Sequence, residues 1–291
     1  MKKIIFLACL LSAMFINISY ISAQSESESK TGSPVNGQSM NGSTGLYSIP
    51  SGHIGWESGS FGLDFGYRAV INNYEGISHI PAVTASVLKW VEISIAMDFQ
   101  PDLDFGKDKN NNDLLLGLKI RLPTNTKNSR NPAIALGGNI QIINAFNDDH
   151  LYNAYQPYVA ITYMGSFFNM SAETTVVFGK TFYSGGPENN SNIDFGMGFD
   201  LVLFPDVFKN AVHWIIDFAN FGYSDNSWPN NSHYHTAASE RGILNTGFRI
   251  AFSPSSSKAK FKIIIDLVFN DLFDAGARSF TAGAVFGFNV L

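Results

Sequence analysis

Three short stretches carry residue types from which chemistry is made. Asn-Asp-Asp-His at 147–150 sets two carboxylates beside an imidazole, the groups a hydrolase uses to activate water. His-Tyr-His at 233–235 offers two imidazoles that a loop carboxylate could complete into a divalent-metal site. Asp-Lys-Asn-Asn-Asn-Asp at 108–113 has the spacing of a calcium loop. Asp113, however, stands where the sharp turn needs Gly, and Lys119 where a bidentate Glu closes the cage. All three lie in polar, loop-like surroundings, where such side chains are ordinarily solvated. No catalytic residue, cofactor or metal is expected, and the chain reads as a non-enzyme.

The charges that are held in place are those set within apolar runs. In FKIIIDLVFN, residues 261–270, Phe261, Ile263, Ile265, Leu267 and Phe269 share one face of a strand, while Lys262, Asp266 and Asn270 share the other. The same alternation recurs along the chain. Phe65 and Tyr67 oppose Asp64 and Arg68; Ile93 and Ile95 oppose Glu92 and Asp98; Leu118 and Ile120 oppose Lys119 and Arg121. Val176 and Phe178 share the face opposite Glu173; Phe199 and Leu201 oppose Asp194 and Asp200; Trp214 and Ile216 oppose Asp217; Phe248 and Ile250 oppose Arg249. Thirteen charges thus fall on polar faces, eight acids and five bases, and none on an apolar face. Gly196 and Gly198 also point inward, where they relieve crowding rather than bind a nucleotide.

Such segments number about twelve (range 10–14), each about ten residues long, the length a tilted strand needs to cross a bilayer. Composition agrees: charged residues make up 15% and aromatics 14%, with 25 Phe, an unusual balance for a water-exposed surface. A net charge of −5 argues against nucleic acid as a partner. Connections alternate long (about 70–79, 99–113, 144–154, 180–193, 222–242 and 270–278) with short (about 88–91, 123–131, 164–166, 205–210 and 253–259). Pro81, Pro123, Pro132, Pro157, Pro205 and Pro254 are expected at strand ends or in loops.

The expected fold is all-β, an antiparallel transmembrane β-barrel over residues 60–291. Residues 1–23, with Lys2 and Lys3 before an apolar run and Ala23 at its end, read as a signal peptide. The only cysteine, Cys9, lies within it, so the mature chain would hold no disulfide. Residues 24–42 are Ser-, Gly- and Glu-rich and read as a disordered linker; 43–59 read as a lead-in segment or partial plug.

The chain resembles the bacterial outer-membrane β-barrel class, porins among them, along about 230 residues. Its last strand is similar to the signal read by barrel-assembly machinery, with Thr281, Gly283, Phe286 and Phe288 in the matching spacing and Leu291 in place of a terminal aromatic. Residues 41–52, NGSTGLYSIPSG, resemble the Gly-Leu-x-x-Pro-[Ser/Thr] opening of YjbH-like and related spirochaete barrels. The class resemblance implies outer-membrane lipid and the assembly machinery as partners. It also implies a bacterial outer-membrane location with both termini periplasmic and long loops outside. The expected function is a small passive channel for polar solutes or ions, with weak cation preference because lumen acids outnumber bases. The alternative is a non-conducting structural or adhesive barrel, and a lipid-facing enzyme comes last.

Overall fold

The computed structural model describes residues 36–57, 59–72, 76–99, 112–123, 131–143, 152–167, 170–185, 193–220, 242–252, 261–273 and 278–289. Residues 1–35, with the expected signal peptide, and the stretches 147–150 and 233–235 lie outside the described residues, as do most of 108–113.

Alternating sequence becomes strand. The strands are β1 (Phe61–Asn72), β2 (Gly76–Val87), β3 (Val91–Phe99), β4 (Asn112–Arg121), β5 (Ala133–Ile143), β6 (Tyr152–Phe167) and β7 (Met170–Gly179), then a short β8 (Phe182–Ser184). After it come β9 (Asp194–Val202), β10 (Val212–Ala219), β11 (Ile243–Phe252), β12 (Phe261–Asn270) and β13 (Ser279–Asn289). The twelve long strands each pair antiparallel with their neighbours, β7 with β9, while β8 adds only to β6. β5 also pairs with β6, and β1 pairs with β13 from Gly62↔Asn289 to Asn72↔Ser279, so the sheet closes on itself and, among the described residues, no long edge is left open.

Inside and outside follow the pleat. On the outer face Phe65, Ile93, Ile95, Leu118, Phe248 and Phe286 are 45–50% exposed, while Asp64, Glu92, Lys119, Asp217, Arg249 and Asp266 on the inner face are at most 2% exposed. This apolar exterior over a buried polar interior inverts a water-soluble barrel and matches a wall that faces hydrocarbon.

Strand extents correct two expectations. β1 and β2 continue their pairing through Asn72↔Gly76, so the connection expected over 70–79 is only 73–75. Pro81 and Pro157 lie inside β2 and β6, not at strand ends. Pro81 has no N–H to give, and the β2–β3 ladder lapses there, between His79↔Phe99 and Ala82↔Ala96. Two short turns use left-handed backbone. Leu88 and Lys89 (φ 53° and 65°) close the β2–β3 hairpin through Trp90 N–H to Val87 O, the positive-φ pair of a primed turn. Between β9 and β10 the chain makes one helical turn, α1 (Pro205–Phe208), with Phe204, Val207 and Phe208 exposed.

Residues 36–57 are not outside the barrel. They form a folded-back finger within it, held by Gln38↔Thr44 and Gly45↔Pro50 bridges. Leu46 N–H donates to Ile49 O (3.0 Å) and Ser51 N–H to Thr44 O (3.0 Å), closing the tip. A Cβ on Gly45 would collide with the Ile49 carbonyl, so the turn demands glycine there. Burial begins before the expected 42/43 boundary: Gln38, Ser39 and Asn41 are already at most 1% exposed.

Candidate functional site

The lumen and the finger form one site. Both limbs of the finger meet the end of the barrel where the short β2–β3 turn lies: Lys262 Nζ donates to Asn36 O (3.1 Å) and Gly55 O (3.0 Å), and Trp56 packs on Gly62. The tip reaches far up the lumen, where Tyr47 Oη meets Thr281 Oγ1 at 2.7 Å, two residues from Ser279 at the opposite end of β13.

The tip is held first by apolar contact. Leu46, Tyr47 and Ile49 pack with Tyr158, Ala160, Val177, Ile215, Ala219 and Val268, which point inward from β6, β7, β10 and β12. Met40 lies against a second patch of Ile80, Ala82, Ala96 and Leu115. The inner wall therefore carries apolar patches among its charges, and the finger covers them. At Gly198 a Cβ would meet Ile216 O at 2.6 Å and press on Leu46, so a small residue makes room for the tip.

Carboxylates grip the finger's backbone. Glu92 accepts from Ser43 Oγ (2.8 Å), Thr44 N (2.8 Å), Thr44 Oγ1 and Gly55 N (2.9 Å), and pairs with Lys119 at 3.0 Å. Asp217 accepts from Tyr47 N (2.8 Å), Ser48 N (2.7 Å), Ser48 Oγ (2.9 Å) and Asn245 Nδ2 (2.8 Å). These bonds give buried amide groups partners that water would otherwise supply.

The remaining charges expected in the lumen take these places. Asp64 meets Lys262 Nζ at 2.8 Å and accepts from Trp56 Nε1 at 2.7 Å. Arg249 grips Asp266 through Nε (2.8 Å) and a second guanidinium nitrogen (3.1 Å), and donates to Gly45 O at 3.1 Å. Asp200 lies between His213 (2.5 Å) and Arg249 (3.8 Å). Arg121 pairs with Glu57 at 2.7 Å; Glu57 also binds His53, whose other ring nitrogen is 3.5 Å from Glu173. Arg68 donates to Gln38 O, and Asp194 accepts from Gln156 Nε2 (2.9 Å) and Thr181 Oγ1. Asp98 stands opposite Asp113 in the β3–β4 ladder. Thr281 and Gly283 face inward on the closing strand; Phe286 and Phe288 face outward, Phe288 stacked on Phe65 at 6.0 Å across the seam.

The chain is an outer-membrane-type β-barrel. Neither a family model nor a curated protein sequence matches it. Among solved structures it is similar to the Acinetobacter baumannii outer membrane protein Omp33 (12% identity, 80% of this chain and 99% of that one, TM-score 0.40). It is also similar to LpxR from Salmonella typhimurium (8%, 78% and 99%, TM-score 0.42) and to the COG4313 outer membrane channel from Pseudomonas putida F1 (11%, 84% and 97%, TM-score 0.39). At these identities and TM-scores the likenesses carry no function over to this chain. The narrower similarity to YjbH-like barrels expected from residues 41–52 finds no support in these comparisons.

Sequence reasoning did not single out His53, Glu57, Tyr47 or Ser48. The available signal was the apolar set Leu46, Tyr47, Ile49, Ile54 and Trp56 within an otherwise polar N-terminal region.

Proposed function

We propose that the protein is an outer-membrane barrel closed by its own finger, non-conducting while residues 36–57 are seated. The observation that carries this reading is the double match at the tip: Leu46 and Ile49 fill an apolar wall patch while Asp217 caps the adjacent N–H groups. A permanently wet pore would leave that patch facing water. Passage of small polar solutes or ions, with a weak preference for cations, then belongs to a state in which the finger has withdrawn.

The test keeps the whole chain. Leu46→Asn with Ile49→Asn should unseat the tip, since each fully buried side chain of this size contributes about 1.5–3 kcal/mol. In planar bilayers wild type should be silent and the double variant should conduct, with gel mobility before heating confirming a folded barrel. A conducting wild type, or a folded but silent variant, would reject the reading.

Orientation follows the same proposal: short turns and finger base in the periplasm, long connections outside. Cysteines placed at Asp148, Asn190 and Asn230 should label in whole cells, and cysteines at Asn128 and Ser256 should not; equal labelling of the two sets would reject the orientation.

A further inference from the structure

Four of the eight wall acids have a wall base. Asp64 has Lys262, Asp266 has Arg249, Asp200 has His213 and Arg249, and Glu92 keeps Lys119 whatever the finger does. Asp217 differs. It is 2% exposed, and among the described residues no Lys, Arg or His lies within ion-pair distance of it. Three of its four hydrogen bonds come from the finger, and only Asn245 belongs to the wall.

We propose that Asp217 is both the catch that holds the finger and the residue that selects cations once the finger is out. This rests on the reading of residues 36–57 as the closing element. The amides of Tyr47 and Ser48 supply the positive potential that a buried carboxylate requires. When the tip leaves, Asp217 keeps one neutral donor in a narrow lumen, and water and a passing cation must supply the rest. Tip and cation therefore compete for one carboxylate. A species that binds only the withdrawn state shifts the balance toward it, so cations should favour opening as well as carry the current. The partner of the site is a small hydrated cation, recognised by charge and by oxygen ligands.

The alternatives within the lumen are weaker. Glu92 grips the finger with more bonds but remains neutralised by Lys119 after withdrawal. Glu173 also faces a finger residue, His53, but at 3.5 Å that contact is longer than the bonds Asp217 accepts from the tip's two amides.

Asp217→Asn in the full chain should raise the open fraction about tenfold, because charge-assisted bonds to the tip become neutral ones. Ser48→Ala removes the hydroxyl that donates to Asp217 and accepts from Asn245, and leaves the two amide bonds in place. It should raise the open fraction less and leave the selectivity of open events unchanged, because the carboxylate remains. Adding Asp217→Asn to the Leu46→Asn/Ile49→Asn barrel should move the potassium-to-chloride permeability ratio toward unity. Reversal potentials in a potassium chloride gradient read this ratio. If the Leu46→Asn/Ile49→Asn barrel is folded and silent, the closing-finger reading falls and this inference with it. If that barrel conducts while Asp217→Asn changes neither open fraction nor selectivity, this inference alone is overturned.

Discussion

Arg249→Met should lower stability by about 3–5 kcal/mol, the cost of leaving one member of a buried ion pair unpaired. Arg249 and Asp266 are 1% and 2% exposed, and the guanidinium meets both carboxylate oxygens in a two-pronged contact. Removing it takes both guanidinium hydrogen bonds from Asp266, leaving only the field of Arg68, and also strips the Gly45 carbonyl of a donor at the finger's turn. The double change Arg249→Met, Asp266→Leu should recover most of the loss, since two apolar groups of similar size do not pay to desolvate charge. Urea unfolding in detergent, followed by gel mobility, measures both. A single variant as stable as wild type would show that water already reaches the pair.

Asp266 also shows what the sequence makes legible. Parity alone puts it on the inner face, because Ile265 and Leu267 must share the other. Its partner needs register: Arg249↔Asp266 are opposed in the β11–β12 ladder, and hydrophobic alternation fixes face but not the offset between strands. The β1–β2 connection, 73–75, is shorter than the sequence pattern suggests for a related reason. Val70, Ile71 and Ser78 alternate too weakly to mark where pairing ends, yet they continue the ladder. The finger was the hardest to read. Ser39, Asn41, Ser43, Thr44 and Ser48 have the composition of a solvated linker. Ser43, Thr44 and Ser48 find hydrogen-bond partners on the wall, while Ser39 and Asn41 bond within the finger, and a segment buried by its container shows little of that in its own periodicity. Ile215, Val268 and Val177 gave no warning either, since on a polar face they read as interruptions rather than as a patch drawn from four strands.

The second large effect lies on the opposite face, one residue away. Ile265→Lys should impair insertion by about 2–4 kcal/mol, the cost of a cation facing the bilayer midplane. Ile265 is midway along β12 on the outer face, opposite Ile250 and Ala284. Phe199→Lys, midway along β9, should behave alike. Loss of insertion by itself would not prove a lipid-facing wall, because a lysine in any packed core is harmful. Depth separates the two explanations. Phe261 begins the same strand on the same face and is 46% exposed, so Phe261→Lys should cost only about 0–1 kcal/mol near the interface. Asp266→Asn, buried in the lumen beside Ile265, should still insert. Folding yields into phosphatidylcholine vesicles give the series. A gradient falling from residue 265 to residue 261 places the outer face in hydrocarbon, whereas equal penalties along the strand would mean that it packs against protein instead.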